Sequence, residues 1–368
     1  MSDFTRNRQK SREEIFKKIV LESLPRKLFF ILTTICNINC VMCWQEKGHL
    51  LPYRAFDTLR MLFPYLDMVE WQGGEVLLVD YFKDIFTEIS RYPQVTQRIH
   101  TNGMALDRDW IELIVSTGSQ VNLSVDALEK STYENIRKGA SFDLLIKNLQ
   151  MIAARSKDRG KKTHVSVNTV IMKRNYRTFE SLPQFCKEYG ISEVRFDFLK
   201  SKPEAGEGFL SCPSEEKGIP VSYAFFKEED VVVHGNAAEK AYLKEQIAVL
   251  EERFRELGID FECTFRSLLA DTILKKEEKT LRKPCVEPDL LKCYSPWERL
   301  FIDFYGDVRP DCMCTLPVGN ILNDEIGAIW NSTGMQEYRR RILEGRFSGW
   351  CTDVCVEGVV ERCKFDSA

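Results

Sequence analysis

The chain has 368 residues, 44% of them hydrophobic and 29% charged, which is enough apolar material for one large domain plus a smaller one and excludes a disordered chain. A formal net charge of −3, with both signs interspersed, offers no basic field to nucleic acid. No run approaches the roughly 18 apolar residues of a membrane span, and MSDFTRNRQKSREEIFKK lacks the apolar core of a secretory signal, so a cytoplasmic location without nucleic-acid or membrane partners is expected.

In chain order, Ser11 and Glu14 form a capping-box pattern ahead of Ile15, Phe16, Ile19 and Val20. This predicts an amphipathic helix over 11–24, ended by Pro25, within a lead-in of residues 1–26. Strand-like segments follow: KLFFILTT (27–34), MVEWQG (68–73), RIHTNG (98–103), QVNLSVD (120–126), HVSVNTVIM (164–172) and EVRFDFL (193–199). The intervals have room for crossover helices, as over 129–155 with Leu144, Leu145, Leu149 and Ile152. Six such strands predict an α/β fold of parallel βαβ units over 27–200, either an open sheet or a partial barrel, with chemistry at the carboxyl ends of the strands.

The rhythm stops after Leu199. Residues 201–220 are rich in Gly, Pro and Ser and read as a loop, and Asn236 caps a helix to Gly258 whose stripe of Leu243, Ile247, Leu250, Phe254 and Leu257 reads as packing. This interval, 201–284, is an insertion or linker. Residues 285–368 then carry seven of the 13 cysteines and read as a smaller metal-dependent domain. Cysteines used this densely in a cytoplasmic chain point to metal or redox chemistry over structural disulfides.

CNINCVMCW (36–44) puts Cys36, Cys40 and Cys43, with three and then two residues between them, in a loop just past the first strand. Three thiolates so placed can converge on an iron–sulfur cluster or a zinc ion. No fourth cysteine is near, which suggests an open coordination position; a closed zinc site would need another ligand such as His49. Gly73 and Gly74 permit close backbone approach at the second strand end, where the Glu75 carboxylate is suited to an ammonium group. Thr101, Asn102 and Gly103 end the third strand, and Ser124 and Asp126 the fourth, though strand-end turns use such residues as well.

Together these residues resemble the radical S-adenosylmethionine (SAM) enzymes: CNINCVMC matches the family's CxxxCxxC motif, and GGEV is similar to its GGEP motif. Met42 stands where many members have an aromatic residue, and Val76 replaces the usual proline. The resemblance covers roughly residues 27–200 and implies a partial (β/α)6 TIM-like barrel. It further implies a [4Fe-4S] cluster on Cys36, Cys40 and Cys43 whose fourth iron is chelated by SAM. Gly73, Gly74, Thr101, Asn102 and Asp126 would belong to the SAM site, Glu75 would meet the SAM amino group, and Ser124, with Arg137 and Asn168, its carboxylate or ribose. Asn168 and Arg137 could equally serve only to satisfy their neighbours.

Near the C-terminus, LFIDFYGDVRP predicts a β-hairpin that brings Cys293 towards Cys312 and Cys314. Cys293, Gly306, Cys312, Trp330 in the helix-like stretch 323–345, and the pair Cys351 and Cys355 resemble the SPASM auxiliary-cluster domain, or its shorter twitch relative. The resemblance implies at least one auxiliary [4Fe-4S] cluster on Cys293, Cys312, Cys351 and Cys355, with Cys285, Cys314 and Cys363 left without a role. A zinc ribbon on the same residues is the alternative. Cys186 and Cys263 read as buried thiols, and Cys212 as a candidate hydrogen-atom donor to a substrate radical.

The resemblance implies reductive cleavage of SAM to a 5′-deoxyadenosyl radical, hydrogen abstraction from a substrate, and an electron donor such as flavodoxin or ferredoxin. An auxiliary cluster with no open iron suits removal of an electron from the substrate radical. A peptide or protein side chain is one substrate class, a sugar or aminocyclitol the other; a non-catalytic electron-transfer protein is the third reading. Only about 26 residues precede the first strand, where peptide maturases often carry a winged-helix peptide-binding domain, which counts against the peptide reading without excluding it, since that module can be a separate peptide-binding protein.

Overall fold

Long β-branched and aromatic runs form the centre of the fold. In the computed structural model, which describes residues 2–43, 45, 47–160, 163–199, 223–269, 293–347 and 349–351, the strands are β1 (Lys27–Thr33), β2 (Asn39–Cys40), β3 (Met68–Gly73), β4 (Thr96–Thr101), β5 (Gln120–Ser124) and β6 (Arg137–Lys138). They continue with β7 (Val165–Ile171), β8 (Glu193–Phe198), β9 (Asp260–Cys263), β10 (Arg299–Ile302), β11 (Asp307–Arg309) and β12 (Gly319–Asn320). One ten-stranded sheet has the order β12-β11-β10-β1-β3-β4-β5-β7-β8-β9. All six expected strands pair in parallel within it. Helices such as Phe82–Ile89, Arg108–Thr117 and Phe142–Asp158 cross between them, as the partial (β/α)6 barrel requires.

Near-continuous burial of β1, from Leu28 to Thr33 apart from Phe29, reflects parallel neighbours on both sides and layers on both faces. Phe30 stacks on Trp71 with centroids 4.7 Å apart, and Phe56, Phe82 and Trp110 extend this aromatic core. Among the described residues no helix is long and apolar enough to cross a membrane.

Four departures from expectation have local causes. The N-terminal helix spans Asp3–Glu14 behind an Ser2 cap, not 11–24. Glu14 ends it, its carboxylate accepting from the backbone N–H groups of Glu22 and Ser23 at 3.0 Å. Residues 19–24 are drawn out by C-terminal side chains: Arg339 donates to the Ile19 carbonyl, Asn331 bonds both backbone groups of Leu21, and Trp330 donates to the Ser23 carbonyl. Tertiary partners thus outbid local helix propensity.

The crossover over 129–155 is two helices, Lys130–Ile136 and Phe142–Asp158, broken where Arg137 pairs with Cys40 as the β6–β2 ladder. The helix-like stretch 323–345 is likewise two, Ile326–Trp330 and Thr333–Leu343, the second capped by the Ser332 side chain. Finally, the C-terminal hairpin β10–β11 forms as expected, but β10 lies parallel to β1, so this region continues the main sheet. The helix after Asn236 is present over Ala237–Glu256 with a complete capping box. The loop 201–220, with Cys212, and Cys285, Cys355 and Cys363 lie outside the described residues.

Candidate active site at the carboxyl ends of the strands

Five strand ends open on one cavity of about 360 Å3, within the range of small-molecule sites. Its wall follows the sheet order: Thr34 after β1, Gly73 and Gly74 at β3, Thr101 and Asn102 at β4, Ser124 at β5, Asn168 and Val170 on β7. Cys36, Cys40 and Cys43 form the facing wall with Ile38, Met42, Gln45 and Lys47. Parallel register makes this gathering automatic, since every strand delivers its C-terminal residues to the same side; Ser124 and Asn168 are direct partners across β5 and β7.

The glycine pair fastens the cysteine loop. Gly73 has φ +137°, and a Cβ on Gly73 or Gly74 would collide with the carbonyl oxygens of Thr33 or Ile35. That closeness lets Gly74 N–H donate to Thr33 O at 2.6 Å and Glu75 N–H to Ile35 O at 2.7 Å, one residue before Cys36.

Glu75 is placed differently from expectation. Its carboxyl group is fully buried and is not among the cavity lining, accepting from the Thr101 hydroxyl, at 2.9 and 2.8 Å to its two oxygens, and from Asn102 N–H at 2.9 Å. Burial pushes its pKa up to about 7 against these hydrogen bonds. The residue ties the β3 end to the β4 end, while Gly73 and Gly74 line the cavity.

Asp126 also lies behind the wall, completely buried, with its carboxylate 2.7 Å from Arg137 Nη2 and accepting from Val170 N–H at 2.8 Å. Burial pushes this carboxyl up, and the Arg137 charge opposes it. Arg137 itself reaches the cavity, with Nη1 3.6 Å from Cys40 Sγ. Asn102 Nδ2 is 3.6 Å from Cys36 Sγ and 2.9 Å from Asn37 Oδ1. Burial raises the Cys36 thiol and pushes Cys40 up to about 11, so metal loading must displace protons. Sequence reasoning missed Thr34, Lys47, His100 and Val170 on the wall. Thr34, His100 and Val170 carried a signal, as residues of predicted strands near their carboxyl ends.

His49, the alternative zinc ligand, is engaged elsewhere: its ring stacks on Phe304 at 5.0 Å and meets Tyr305 edge-on at 5.1 Å. Among the described residues no group of three or more His, Cys, Asp or Glu side chains is set to hold a single metal ion. The three cysteines all line the cavity, and three thiolates of one short loop suit a multi-iron cluster with one thiolate per iron.

A second gathering of cysteines lies around the C-terminal hairpin. The half-buried Arg299 guanidinium feels Cys293, Cys312 and Cys314 and is held 2.6 Å from Asp311, which also accepts from the Cys312 thiol at 3.2 Å. Cys314 forms an antiparallel bridge with Cys351 and is buried. Cys314, left without a role by its spacing, therefore sits among the auxiliary cysteines, while Cys186 and Cys263 stand apart as buried or half-buried thiols.

The radical SAM superfamily model matches residues 30–186, and the SPASM model, an iron–sulfur cluster-binding domain, matches 293–356. A GTP 3′,8-cyclase of Synechocystis sp. is 27% identical over 180 residues, covering 46% of this chain and 53% of that protein. The chain spans about half the length of the first such curated relatives. Among solved structures, SuiB of Streptococcus suis bound to S-adenosylmethionine aligns with a TM-score of 0.62 at 18% identity, over 91% of this chain and 72% of that one. The structure of anSMEcpe with AdoMet and the Cp18Cys peptide aligns at 0.58 and 15% identity, over 87% and 84%. With both domain matches falling on the two cysteine gatherings, the chain belongs to the radical SAM superfamily and carries a C-terminal SPASM iron–sulfur domain.

Proposed function

We propose that this protein is a radical SAM oxidoreductase that oxidatively modifies a peptide or protein side chain. The observation that carries the reading is the single cavity shared by three thiols and the polar ends of five successive strands. Bound there, the cluster and SAM supply one-electron cleavage of the S–C5′ bond to methionine and a 5′-deoxyadenosyl radical, which takes hydrogen from the substrate. The chain's part is binding, orientation and exclusion of water. Cys36, Cys40 and Cys43 would hold the cluster, the backbone of Gly73 and Gly74 would take the SAM ammonium, and Ser124 and Asn168 would offer hydrogen bonds to its carboxylate and ribose, all of them lining the cavity. Ile38, Met42 and Val170 supply the apolar wall that keeps water from a radical.

Cys293, Cys312 and Cys351, with Cys355, would hold the auxiliary cluster that receives the substrate's second electron, Cys314 being their near neighbour. The proposed setting is cytoplasmic, with flavodoxin or ferredoxin as donor. Peptide modification is supported by the likeness in fold to SuiB, also solved with its precursor peptide SuiA, and to anSMEcpe with Cp18Cys, an analogy of fold. A small-molecule substrate is the second reading, supported by the curated relatives named GTP 3′,8-cyclase.

The test is anaerobic reconstitution, reduction and addition of SAM, with 5′-deoxyadenosine as readout. Formation with no substrate present establishes the chemistry; none, with clusters intact, reduces the protein to an electron carrier. Acceleration by a cysteine-containing peptide library and not by nucleotides or aminocyclitols supports the peptide reading, and the reverse overturns it.

A further inference from the structure

We infer that Arg137 and Asn102 set the reduction potential of the cluster on Cys36, Cys40 and Cys43 by hydrogen bonding to two of its sulfurs, with Asp126 as an opposing charge. The inference rests on the proposed reading of that site. Arg137 Nη1 lies 3.6 Å from Cys40 Sγ, and Asn102 Nδ2 lies 3.6 Å from Cys36 Sγ, both within N–H···S reach.

Each donor is fixed from behind. Arg137 is tied to Asp126 at 2.7 Å and, through the β6–β2 ladder, is the backbone partner of the cysteine that it faces. Asn102 is held by Asn37 Oδ1, by Met104 N–H on its own Oδ1, and by Glu75 on its backbone. Both side chains are more than nine-tenths buried, where a charge or dipole acts at low dielectric.

One-electron reduction adds negative charge that the sulfurs share, so N–H donors and the guanidinium favour the reduced form and raise the potential. Asp126, completely buried 2.7 Å behind Arg137, takes back part of that effect. The two halves of one ion pair should therefore act in opposite directions, which a loss of packing alone does not produce.

The experiment is potentiometric EPR titration of anaerobically reconstituted full-length protein, following the reduced signal that is lost in Cys36→Ala, with iron content measured for every variant. Arg137→Gln should lower the reduced-to-oxidised ratio at fixed poise about tenfold, 59 mV for one electron. Asn102→Ala should lower it by a smaller factor, and Asp126→Asn should raise it. Unchanged potentials, or shifts of one sign for Arg137→Gln and Asp126→Asn, at wild-type iron content overturn the inference. Should Arg137→Gln lose iron, Asn102→Ala and Asp126→Asn decide it by the same opposition of sign. Absence of any Cys36-dependent signal in the wild type would refute the cluster assignment itself, a separate outcome.

Discussion

The Thr101 hydroxyl sits 2.9 and 2.8 Å from the two carboxylate oxygens of Glu75, and the neighbouring Asn102 N–H is 2.9 Å from one of them. This knot joins the β3 and β4 ends behind the cavity, so its state bears on Asn102 in front. Glu75→Gln swaps one acceptor for an NH2 facing donors, and should cost roughly 1–3 kcal/mol in urea unfolding of the apo protein. An unchanged midpoint would refute the knot.

The same carboxyl gives a pH signature. Its folded pKa, about 7, lies above its ordinary value of 4.5, so the folded state binds the extra proton between them. Stability from this group is fully present below pH 4.5 and lost as pH rises through 7, by up to about 3 kcal/mol. Unfolding of the apo protein at pH 5 and pH 8 should show this decline in wild type, and Glu75→Gln should flatten it.

Gly74→Ala forces a Cβ into the Ile35 carbonyl oxygen, displacing the root of the cysteine loop. A loss of about 1–3 kcal/mol and a fall in bound iron are expected. Gly327, in a helix with open space around it, is the control; its alanine variant should be neutral or slightly stabilising, with full iron.

Replacing Cys36, Cys40 or Cys43 by Ala should remove roughly four irons per chain and abolish 5′-deoxyadenosine formation. Cys293→Ala or Cys312→Ala should remove a similar amount while SAM cleavage persists. Iron analysis paired with chromatography separates these patterns, and Cys186→Ala, in the core, should leave the iron unchanged.

Much of this was legible because it depends on local pattern. Parallel strands buried on both faces read as apolar runs, and the spacing of Cys36, Cys40 and Cys43 was enough to place them on one cavity. What escaped depends on partners distant in sequence. The segment 19–24 has helical spacing, yet Trp330, Asn331 and Arg339 claim its backbone. The break at Arg137 arises from pairing with Cys40, 97 residues earlier. Glu75 reads as a partner for the SAM amino group because spacing locates a residue at a strand end, and its bonds to Thr101 and Asn102 come from a neighbouring strand that spacing does not show. Cys314 lacked a motif position, and only the bridge to Cys351 reveals its company.

The pairing of β1 with β10 has a consequence for biogenesis. The strand that leads into the cysteine loop must wait, during synthesis, for residues 299–302 before one of its edges is covered. Until then an apolar strand with unpaired backbone groups is open to other chains. The radical SAM half should therefore aggregate when expressed without residues beyond 298, and a nascent chain should call on chaperones until residues 299–302 have emerged from the ribosome.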